Sequence, residues 1–426
     1  MTAHEASPIW HPFTQHALQP EMIKIARGEG AWLETPSGSR ILDAISSWWV
    51  VTHGHRYPPI IAAIKDQVDR LDQVIFAGFT HEPAERLARD LIELAPPGQS
   101  HVFFSDSGST SVEVALKMAL GYWRNVGEPR NRILALEHGY HGDTIGGMSV
   151  GARTVFNAPY APLLFETGRI PFPSAGHTQD TIDVLDAVCA EGSVAALIVE
   201  PLILGAGGML TYPARVLAEM KRVCEAYGVF FIADEVMTGW GRAGTLFACE
   251  RANVVPDIIC LAKGLTGGSV PLAVTLCRQE IFDAHRSTDR AKTFFHSSSY
   301  TANPIACAAA AANLEVWKRE PVAERIAILT QRQAKQLRSL RTDARFKNVR
   351  QLGTITALEV EVPDAGYLAA IGPKLYAFFL ERKVLLRPLG NTIYVMPPYC
   401  ISDAELDQVY DAIRAAADSL DGWAAT

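Results

Sequence analysis

The stretch Asp257-Ile-Ile-Cys-Leu-Ala-Lys263-Gly-Leu-Thr-Gly-Gly268 carries one lysine at the point where a short apolar run gives way to glycines. An apolar run of this length between Pro256 and glycines predicts a buried strand rather than a helix. Lys263 then lies at the carboxyl end of the strand, the edge at which open α/β sheets bind their ligands. A lysine that loses its water there is able to act as a Schiff-base nucleophile. The structural alternative is an ordinary lysine at the end of a strand, with its amine exposed to solvent and without a functional role.

The length and composition of the chain describe a globular protein with a large core. Its 426 residues are 48% hydrophobic and 20% charged, which predicts more than one domain. A formal net charge of -7 argues against a nucleic-acid partner, which requires a basic face. The N-terminus lacks a signal-peptide pattern and no run reaches about 18 apolar residues, so we expect neither secretion nor membrane insertion. The seven cysteines form no C-x-x-C pair and are predicted to be reduced core residues, which favours the cytoplasm.

Between about residues 100 and 280, apolar runs alternate with helical patterns. This alternation is typical of an α/β fold in which crossover helices join a mostly parallel sheet. We predict its strands at 101–105, 132–136, 194–199, 229–233, 258–262 and 272–276.

The chain is predicted to divide into four parts. Residues 1–50 are expected to be irregular, because four prolines break any helix, and to pack with a small domain and the active site. Residues 51–303 form the large domain, and the alanine-rich stretch 304–340 forms a linking helix. Residues 341–426 form a smaller α+β domain, with strands at 357–362, 384–387 and 392–396 and helices at 373–382 and 403–420.

A loop of small residues, Asp106-Ser-Gly108-Ser109-Thr110-Ser-Val-Glu113, follows the predicted strand 101–105. Thr110-x-x-Glu113 matches a capping box, which predicts that a helix begins there. A small-residue loop that opens a helix presents free N–H groups and the positive end of the helix dipole, so it is a candidate phosphate site. The alternative is a strand-to-helix turn with good caps.

Two further motifs follow strands. The run Val229-Phe-Phe-Ile-Ala-Asp234 delivers a carboxylate at its carboxyl end, where a buried aspartate is able to keep a heterocyclic nitrogen protonated. Gly139-Tyr140-His-Gly-Asp143 is able to bring an aromatic face over a planar ring. The alternatives are a helix cap or solvated acid for Asp234 and a glycine-rich turn for Tyr140.

Adjacent tryptophans occur in Ser46-Ser-Trp48-Trp49. Exposing both is costly, so they either fill a core or an oligomer contact, or form an aromatic wall of a pocket. The sequence leaves these two interpretations open.

A phosphate loop, a stacking tyrosine, a strand-end aspartate and a strand-end lysine are the groups that pyridoxal phosphate requires. The chain resembles the class III pyridoxal-phosphate aminotransferases of fold type I over nearly its whole length, and most closely their biotin-synthesis branch. The general resemblance rests on Asp234-Glu-Val-Met-Thr-Gly239, Lys263-Gly and Asn303-Pro304. The narrower resemblance rests on Trp10-His-Pro-Phe13, Ser46-Ser-Trp48-Trp49, Tyr140-His-Gly-Asp143, Gly205-Ala-Gly-Gly-Met209, Arg387-Pro-Leu-Gly390 and Ile393-Tyr-Val-Met-Pro-Pro398.

The resemblance implies a role for each candidate residue in a large cofactor-binding domain with a smaller C-terminal domain. Lys263 would bind the cofactor covalently and shuttle the proton, and Asp234 would hold the pyridine nitrogen. Tyr140 would border the ring. The phosphate would be bound by Gly108 and Ser109 together with Ser299 of the partner subunit in a homodimer, and the substrates by Trp48, Trp49, Tyr140, Arg387 and Phe13.

The resemblance also implies a reaction, the transamination of 8-amino-7-oxononanoate to 7,8-diaminononanoate with S-adenosylmethionine as the amino donor. Two residues depart from what related sequences carry. Phe13 replaces a frequent tyrosine, which removes a hydroxyl contact and leaves lysine as an alternative donor. Ala206 replaces the glutamate of many glutamate-using relatives, which argues against a glutamate donor. An ω-amino-acid or diamine transaminase is the alternative activity.

Other enzyme classes have weaker support in the sequence. Gly147-Met-Ser149-Val-Gly151 matches the nucleophile elbow of serine hydrolases but lacks the strand that should precede it. Gly239-Trp-Gly-Arg-Ala-Gly244 matches G-x-G-x-x-G, yet no clear helix follows it. No H-E-x-x-H or C-x-x-C motif indicates a metal site. A binding module without a cofactor should have lost Lys263 or Asp234, and both are present.

Overall fold

The computed structural model describes residues 7–128 and 130–420 and confirms the α/β fold class. Its central sheet has seven strands in the spatial order Gln99–Ser105, Ala273–Arg278, Ile258–Leu261, Phe230–Asp234, Val194–Val199, Arg132–Leu136 and Gly168–Ile170. The strand Ala273–Arg278 runs antiparallel to both neighbours, and the other pairs are parallel. The six predicted strands occur with small shifts at their ends, and the strand Gly168–Ile170 was not predicted.

Parallel pairing decides where the reactive residues meet. The middle strands Val194–Val199, Phe230–Asp234 and Ile258–Leu261 are buried along their whole length, as expected for a parallel sheet covered on both faces. Because they run in the same direction, their carboxyl ends share one edge of the sheet. Glu200 and Lys263 follow two of these strands and Asp234 ends the third, so all three side chains come together.

The helices of the large region surround this sheet. Their bounds are Pro58–Val68, Glu82–Leu94, Gly108–Val126, Ile145–Val150, Thr178–Ala190, Ala214–Ala226 and Gln279–His285, with short 3₁₀ turns at Ala158–Leu163, Ala248–Ala252, Lys263–Thr266 and Arg290–Lys292. A two-stranded ribbon joins Ile203–Leu204 to Leu210–Thr211.

The predicted start of the helix after the first central strand was wrong. Ser107, not Thr110, is the N-cap: its Oγ accepts the Thr110 N–H at 3.2 Å, and Thr110 Oγ1 accepts the Ser107 N–H at 3.0 Å. Thr110 therefore has the role in the capping box that was assigned to Glu113. Glu113 instead accepts the Gly146 N–H at 2.6 Å. The helix consequently begins at Gly108, inside the candidate phosphate loop.

The prediction that the first 50 residues are irregular was wrong beyond residue 26. Three short strands, Arg27–Glu29, Trp32–Glu34 and Arg40–Asp43, form an antiparallel sheet that continues into Val384–Leu385. The prolines exclude a helix but not this sheet, because Pro36 lies in the turn between two strands.

The C-terminal region consists of a three-stranded sheet with two helices. The strands are Phe346–Leu352, Ile355–Val360 and Thr392–Val395, and the helices are Ile371–Glu381 and Asp403–Asp418. The linking stretch is two helices rather than one, Pro304–Arg319 and Val322–Leu340. Glu320 is extended between them because Pro321 follows it.

We propose that the N-terminal sheet and the C-terminal region together form the small domain. The parallel pairing of Arg40–Asp43 with Val384–Leu385 joins them, and one apolar core contains residues of both. Residues 1–6 and 421–426, the outer ends of the predicted parts, lie outside the described residues.

Three further observations concern the described ranges. None of their helices combines the length and the apolar character that crossing a bilayer needs. Nor do His, Cys, Asp and Glu side chains gather there in a group of three or more suited to a metal ion. The seven cysteines are free, and six of them are buried, as predicted for reduced core residues.

Candidate active site

A cavity of about 470 Å³ lies at the carboxyl edge of the central sheet. Its lining brings together six of the candidate residues from the sequence, Lys263, Asp234, Tyr140, Gly108, Ser109 and Trp49. They come from five separate stretches of the chain, so the fold is what assembles the group.

Lys263 presents its amine to this cavity. It has a left-handed backbone, with φ of 48°, at the start of the turn Lys263–Thr266, and its Nζ lies 5.2 Å from the centroid of the Trp49 ring. Burial lowers the pKa of the Lys263 amine, and the carboxylates of Asp234 and Glu200 oppose that shift. A lowered pKa increases the fraction of neutral amine, the form that attacks a carbonyl.

Asp234 is buried at the end of its strand, with 4% of its surface exposed. His141 Nδ1 donates to Asp234 Oδ2 at 2.7 Å, and the N–H of Val236 donates to Asp234 Oδ1 at 3.1 Å. These two donors fix the position of the Asp234 side chain in the cavity lining, where it could pair with a protonated ring nitrogen.

Glu200 is a buried member of the site that was not predicted. Its Oε1 accepts the N–H of Tyr140 at 2.9 Å and its Oε2 accepts the N–H of Gly205 at 2.8 Å, so one carboxylate connects two loops of the cavity. Burial raises the pKa of Glu200 to about 7, although His141 opposes the rise. Glu200 follows the strand Val194–Val199, the same strand-end signal that identified Asp234, and it was overlooked there.

One part of the cavity lining, residues 107–109, which we call the glycine end, has the features of an anion site. Ser107, Gly108 and Ser109 lie at the N-terminus of the helix Gly108–Val126, where the first N–H groups have no partner within the helix. A Cβ on Gly108 would come within 2.6 Å of Val236 Cγ1, and one on Gly142 would collide with Ser109. Glycine at both positions therefore allows Val236 and Ser109 to pack closely against the backbone in this part of the cavity.

The paired tryptophans lie in an unusual turn. Ser46, Ser47, Trp48 and Trp49 all have left-handed backbones, with φ of 53°, 45°, 67° and 76°. Such a conformation costs roughly 1–2 kcal/mol per non-glycine residue. The turn separates the two indoles: Trp49 is 5% exposed and lines the cavity, whereas Trp48 is 37% exposed and lies outside its lining.

Trp48, Phe13 and Arg387 form a second group, which we call the outer group. The rings of Phe13 and Trp48 are 5.4 Å apart, and the Arg387 guanidinium lies 5.3 Å from the Trp48 ring centroid. Arg387 Nη2 also donates to the backbone carbonyl of Phe13 at 2.9 Å. None of the three lines the first cavity.

A second cavity of about 300 Å³ adjoins the first, and Tyr140 lines both. Its walls include Phe156, Tyr367 and Ala206. The Phe156 ring lies 5.8 Å from that of Phe13, so the second cavity adjoins the outer group as well.

Ser299 does not line either cavity of its own chain. It is exposed, and its backbone carbonyl accepts a hydrogen bond from Gln73 Nε2 at 2.7 Å.

Comparison with known proteins identifies the family. The profile of Aminotransferase class-III matches residues 13–417. The chain belongs to the class III aminotransferases. It is 46% identical over 423 residues to a Synechococcus elongatus protein named adenosylmethionine-8-amino-7-oxononanoate aminotransferase, covering 97% of this chain and 99% of that protein. A Geobacter sulfurreducens protein of the same name is 37% identical and covers 97% of this chain and 96% of its own.

Solved structures agree with this membership. The adenosylmethionine-8-amino-7-oxononanoate aminotransferase of Methanocaldococcus jannaschii superposes with a TM-score of 0.91 at 35% identity, covering 96% of this chain and 97% of that chain. A PLP-bound amine transaminase from an uncultivated Pseudomonas species has a TM-score of 0.91 at 33% identity, and the match covers 97% of this chain and 98% of that chain.

Class III aminotransferases use pyridoxal 5'-phosphate, and the residues of this cavity fit that cofactor. The glycine end offers free N–H groups for a phosphate, Asp234 offers a buried carboxylate for a ring nitrogen, and Lys263 offers an amine of lowered pKa for the aldehyde. When bound, the cofactor supplies an electron sink. We propose that the protein supplies the rest: with the cofactor bound, Asp234 would hold a proton at the ring nitrogen, the Lys263 amine would move the substrate proton, and Trp49 would shield that amine from water.

The two rival motifs have structural roles. Ser149 lies inside the helix Ile145–Val150, fully buried, and its Oγ donates to the Ile145 carbonyl at 2.6 Å, so it is no exposed nucleophile. The stretch 239–244 forms turns without a following α-helix, and its Arg242 donates to the carbonyls of Trp49 and Val51.

We expect Lys263→Ala to lower transamination by several orders of magnitude while the protein still folds and retains pyridoxal phosphate, because the glycine end and Asp234 do not depend on the amine. Borohydride treatment followed by peptide mass spectrometry should find the cofactor attached at Lys263 in the parent protein and nowhere in the variant. Lys65→Ala, which removes an exposed lysine, is the control. A Lys263→Ala variant with near-normal turnover would contradict the assignment.

Proposed function

We propose that this aminotransferase moves the amino group of S-adenosylmethionine to 8-amino-7-oxononanoate, giving 7,8-diaminononanoate for biotin synthesis. Relatives that carry both compounds in their name support the proposal, among them one that is 46% identical over nearly the whole chain. The observation that carries it is the turn Ser46–Trp49, which directs one indole to the reactive amine and the other to Arg387.

Both substrates of a transaminase visit one pocket in turn, so this pocket must accept a sulfonium cation and then an aliphatic keto acid. Aromatic walls suit both. An indole attracts a cation through its ring face, worth about 0.5–2 kcal/mol, and it also packs along a hydrocarbon chain. Arg387 is the group for the carboxylate of the keto acid, because a guanidinium forms a paired hydrogen bond with a carboxylate.

The residue at position 206 favours this donor over glutamate. Ala206 lines the second cavity and has no carboxylate with which to mask an arginine. Phe13 packs its ring against Trp48 but has no hydroxyl to contact a donor. Because that contact is missing, lysine is the second candidate donor and a simple ω-amine is the third.

We further propose that the active unit is a homodimer in the cytoplasm, with Ser299 of the partner subunit completing the phosphate site. Ser299 is exposed here and lines neither cavity of its own chain. It lies between the exposed apolar side chains Phe295 and Tyr300, which are 71% and 63% exposed and need a covering surface. The unpaired cysteines favour a reducing compartment.

The amino donor can be tested in a single turnover. The pyridoxal form is mixed, without acceptor, with S-adenosylmethionine, lysine, glutamate or an ω-amine, and conversion to the pyridoxamine form is followed by absorbance. We expect S-adenosylmethionine to convert the cofactor and glutamate to leave it unchanged. Conversion by lysine or the ω-amine alone would replace the proposed donor. Conversion by glutamate would refute the inference from Ala206.

Arg387→Lys should impair the keto-acid half-reaction by about tenfold or more and spare the donor half-reaction, because lysine cannot form the paired hydrogen bond with a carboxylate. Stopped-flow measurement of each half-reaction gives the two rates separately. Arg341→Lys, at an exposed position, is the matched control. Equal losses in both half-reactions would mean that Arg387 has a structural role.

The position of Ser299 can be tested by complementation between two inactive variants, Lys263→Ala and Ser299→Asp, the latter of which repels a phosphate. A mixed dimer, with Lys263→Ala on one chain and Ser299→Asp on the other, is purified through a different tag on each chain. If Ser299 acts across the interface, one active site of this dimer contains both substitutions and the other contains neither. Such a mixed dimer should regain about half of the parent turnover. If Ser299 acts in its own subunit, the mixed dimer stays inactive. Ser287→Asp, an exposed serine, controls for the added charge.

A further inference from the structure

The turn Ser46–Trp49 requires a cause outside its own residues. Isolated non-glycine residues enter the left-handed region in many proteins, but here four follow one another, and none is glycine. A strained backbone persists only where its surroundings hold it. The groups that hold this turn therefore decide where its two indoles point.

The side chain of Asp43 is the main holding group. It is fully buried just before the turn, and both of its oxygens accept hydrogen bonds. Oδ1 accepts the N–H groups of Ile45 at 3.2 Å and Ser47 at 2.9 Å. Oδ2 accepts Ser47 Oγ at 2.7 Å and His55 Nε2 at 2.9 Å. One carboxylate thus fixes both the backbone and the side chain of the second residue of the turn.

Other contacts hold only the ends of the turn. Ser46 Oγ donates to the carbonyl of Met396 at 2.7 Å, and Arg242 Nη2 donates to the carbonyl of Trp49 at 3.3 Å. These bonds attach the turn to the rest of the protein. Inside the turn, the N–H of Ser47 bonds to Asp43 and the N–H of Trp49 bonds to the carbonyl of Ile45 at 2.8 Å. Among the described side chains, Asp43 is therefore the one that accepts an N–H from inside the turn, and it lines neither cavity.

We propose that Asp43 is a positioning residue for substrate binding: through the left-handed turn it holds Trp49 over Lys263 and Trp48 beside Arg387. It contacts no reacting atom. The proposal rests on the proposed function, because it assumes that both indoles contact the substrates. Its prediction is a loss of substrate affinity with the cofactor site intact.

The consequences of replacing Asp43 follow from its hydrogen bonds. Asp43→Ala removes all four acceptor contacts, so the turn relaxes toward ordinary backbone angles and both indoles move. Asp43→Asn keeps one carbonyl oxygen for the N–H groups of Ile45 and Ser47, and its amide group donates to Ser47 Oγ. The asparagine variant should therefore keep most of the function that the alanine variant loses.

The test measures both half-reactions of the holoenzyme, with any amine that the parent protein accepts. We expect Asp43→Ala to raise the KM for amine and keto acid by about tenfold or more, since small displacements of binding groups are costly. The variant should still bind the cofactor at Lys263, because the glycine end and Asp234 do not depend on the turn. Asp43→Asn should stay within about threefold of the parent, because its hydrogen bonds are mostly kept.

Glycine provides a rescue and a matched control. Ser47→Gly in the Asp43→Ala background should restore a large part of the lost affinity, because glycine adopts a positive φ without strain. Asn253→Gly relieves the same kind of strain at an exposed site, with φ of 51°, far from the turn in sequence, and should restore stability without affinity. If Ser47→Gly and Asn253→Gly restored the substrate affinity of Asp43→Ala equally, Asp43 would have only a general role in stability, and the proposal would be overturned. An unchanged KM in the Asp43→Ala variant would also overturn the proposal.

If Asp43→Ala does not fold, the turn can be tested at Ser47 alone. Ser47→Gly and Ser47→Val both remove the hydroxyl, but valine strongly disfavours a positive φ. Only the valine variant should raise the KM, and equal values for the two would overturn the proposal. The amino donor is tested separately. If S-adenosylmethionine does not convert the cofactor of the parent protein, the proposed function is wrong. The test of the turn can still be carried out with lysine or an ω-amine as the donor.

Discussion

Parallel strand pairing is the constraint on which this site depends. It brings the ends of three buried strands to one edge, and with them Glu200, Asp234 and Lys263. Burial lowers the pKa of the lysine amine, and the two carboxylates oppose that shift. The same burial raises the pKa of Glu200 to about 7, and the nearby Asp234 carboxylate adds to the rise.

The two groups of site residues come from different parts of the structure. Glu200, Asp234 and Lys263 lie at strand ends of the central sheet, whereas Trp48 and Trp49 lie in a turn that is held by Asp43, by Arg242 and by the carbonyl of Met396. Asp43 is local to the turn, but Arg242 and Met396 are distant in the chain, so the turn also depends on long-range packing. On the proposed function, the strand ends of the central sheet would set the reactivity, and this packing would set the shape of the substrate pocket.

Much of the fold could be predicted, because a buried parallel strand leaves a clear apolar run in the sequence. The positions of Asp234 and Lys263 at one edge of the sheet could be predicted for the same reason, since both residues end or follow such runs, while their catalytic roles stay predictions. The N-terminal sheet was missed because its strands are only three or four residues long, too short for a periodic pattern. The left-handed turn was missed because Ser-Ser-Trp-Trp contains no glycine to signal a positive φ. Its support comes from partners such as Met396, 350 residues away, which no local pattern reveals.

The bond between Arg387 and the carbonyl of Phe13 connects the irregular N-terminal segment to the arginine that we propose as the carboxylate-binding residue. It holds the guanidinium beside Trp48 while one of its N–H groups points to a neutral acceptor. A carboxylate is a stronger acceptor than a neutral carbonyl, so an arriving keto acid is able to displace Phe13 without first ordering the arginine. The residue at position 13 therefore acts through its backbone as well as its ring. On the proposed function, the loss of a tyrosine hydroxyl there would change the contacts offered to the donor, while the bond to Arg387 uses the backbone carbonyl and does not depend on that side chain.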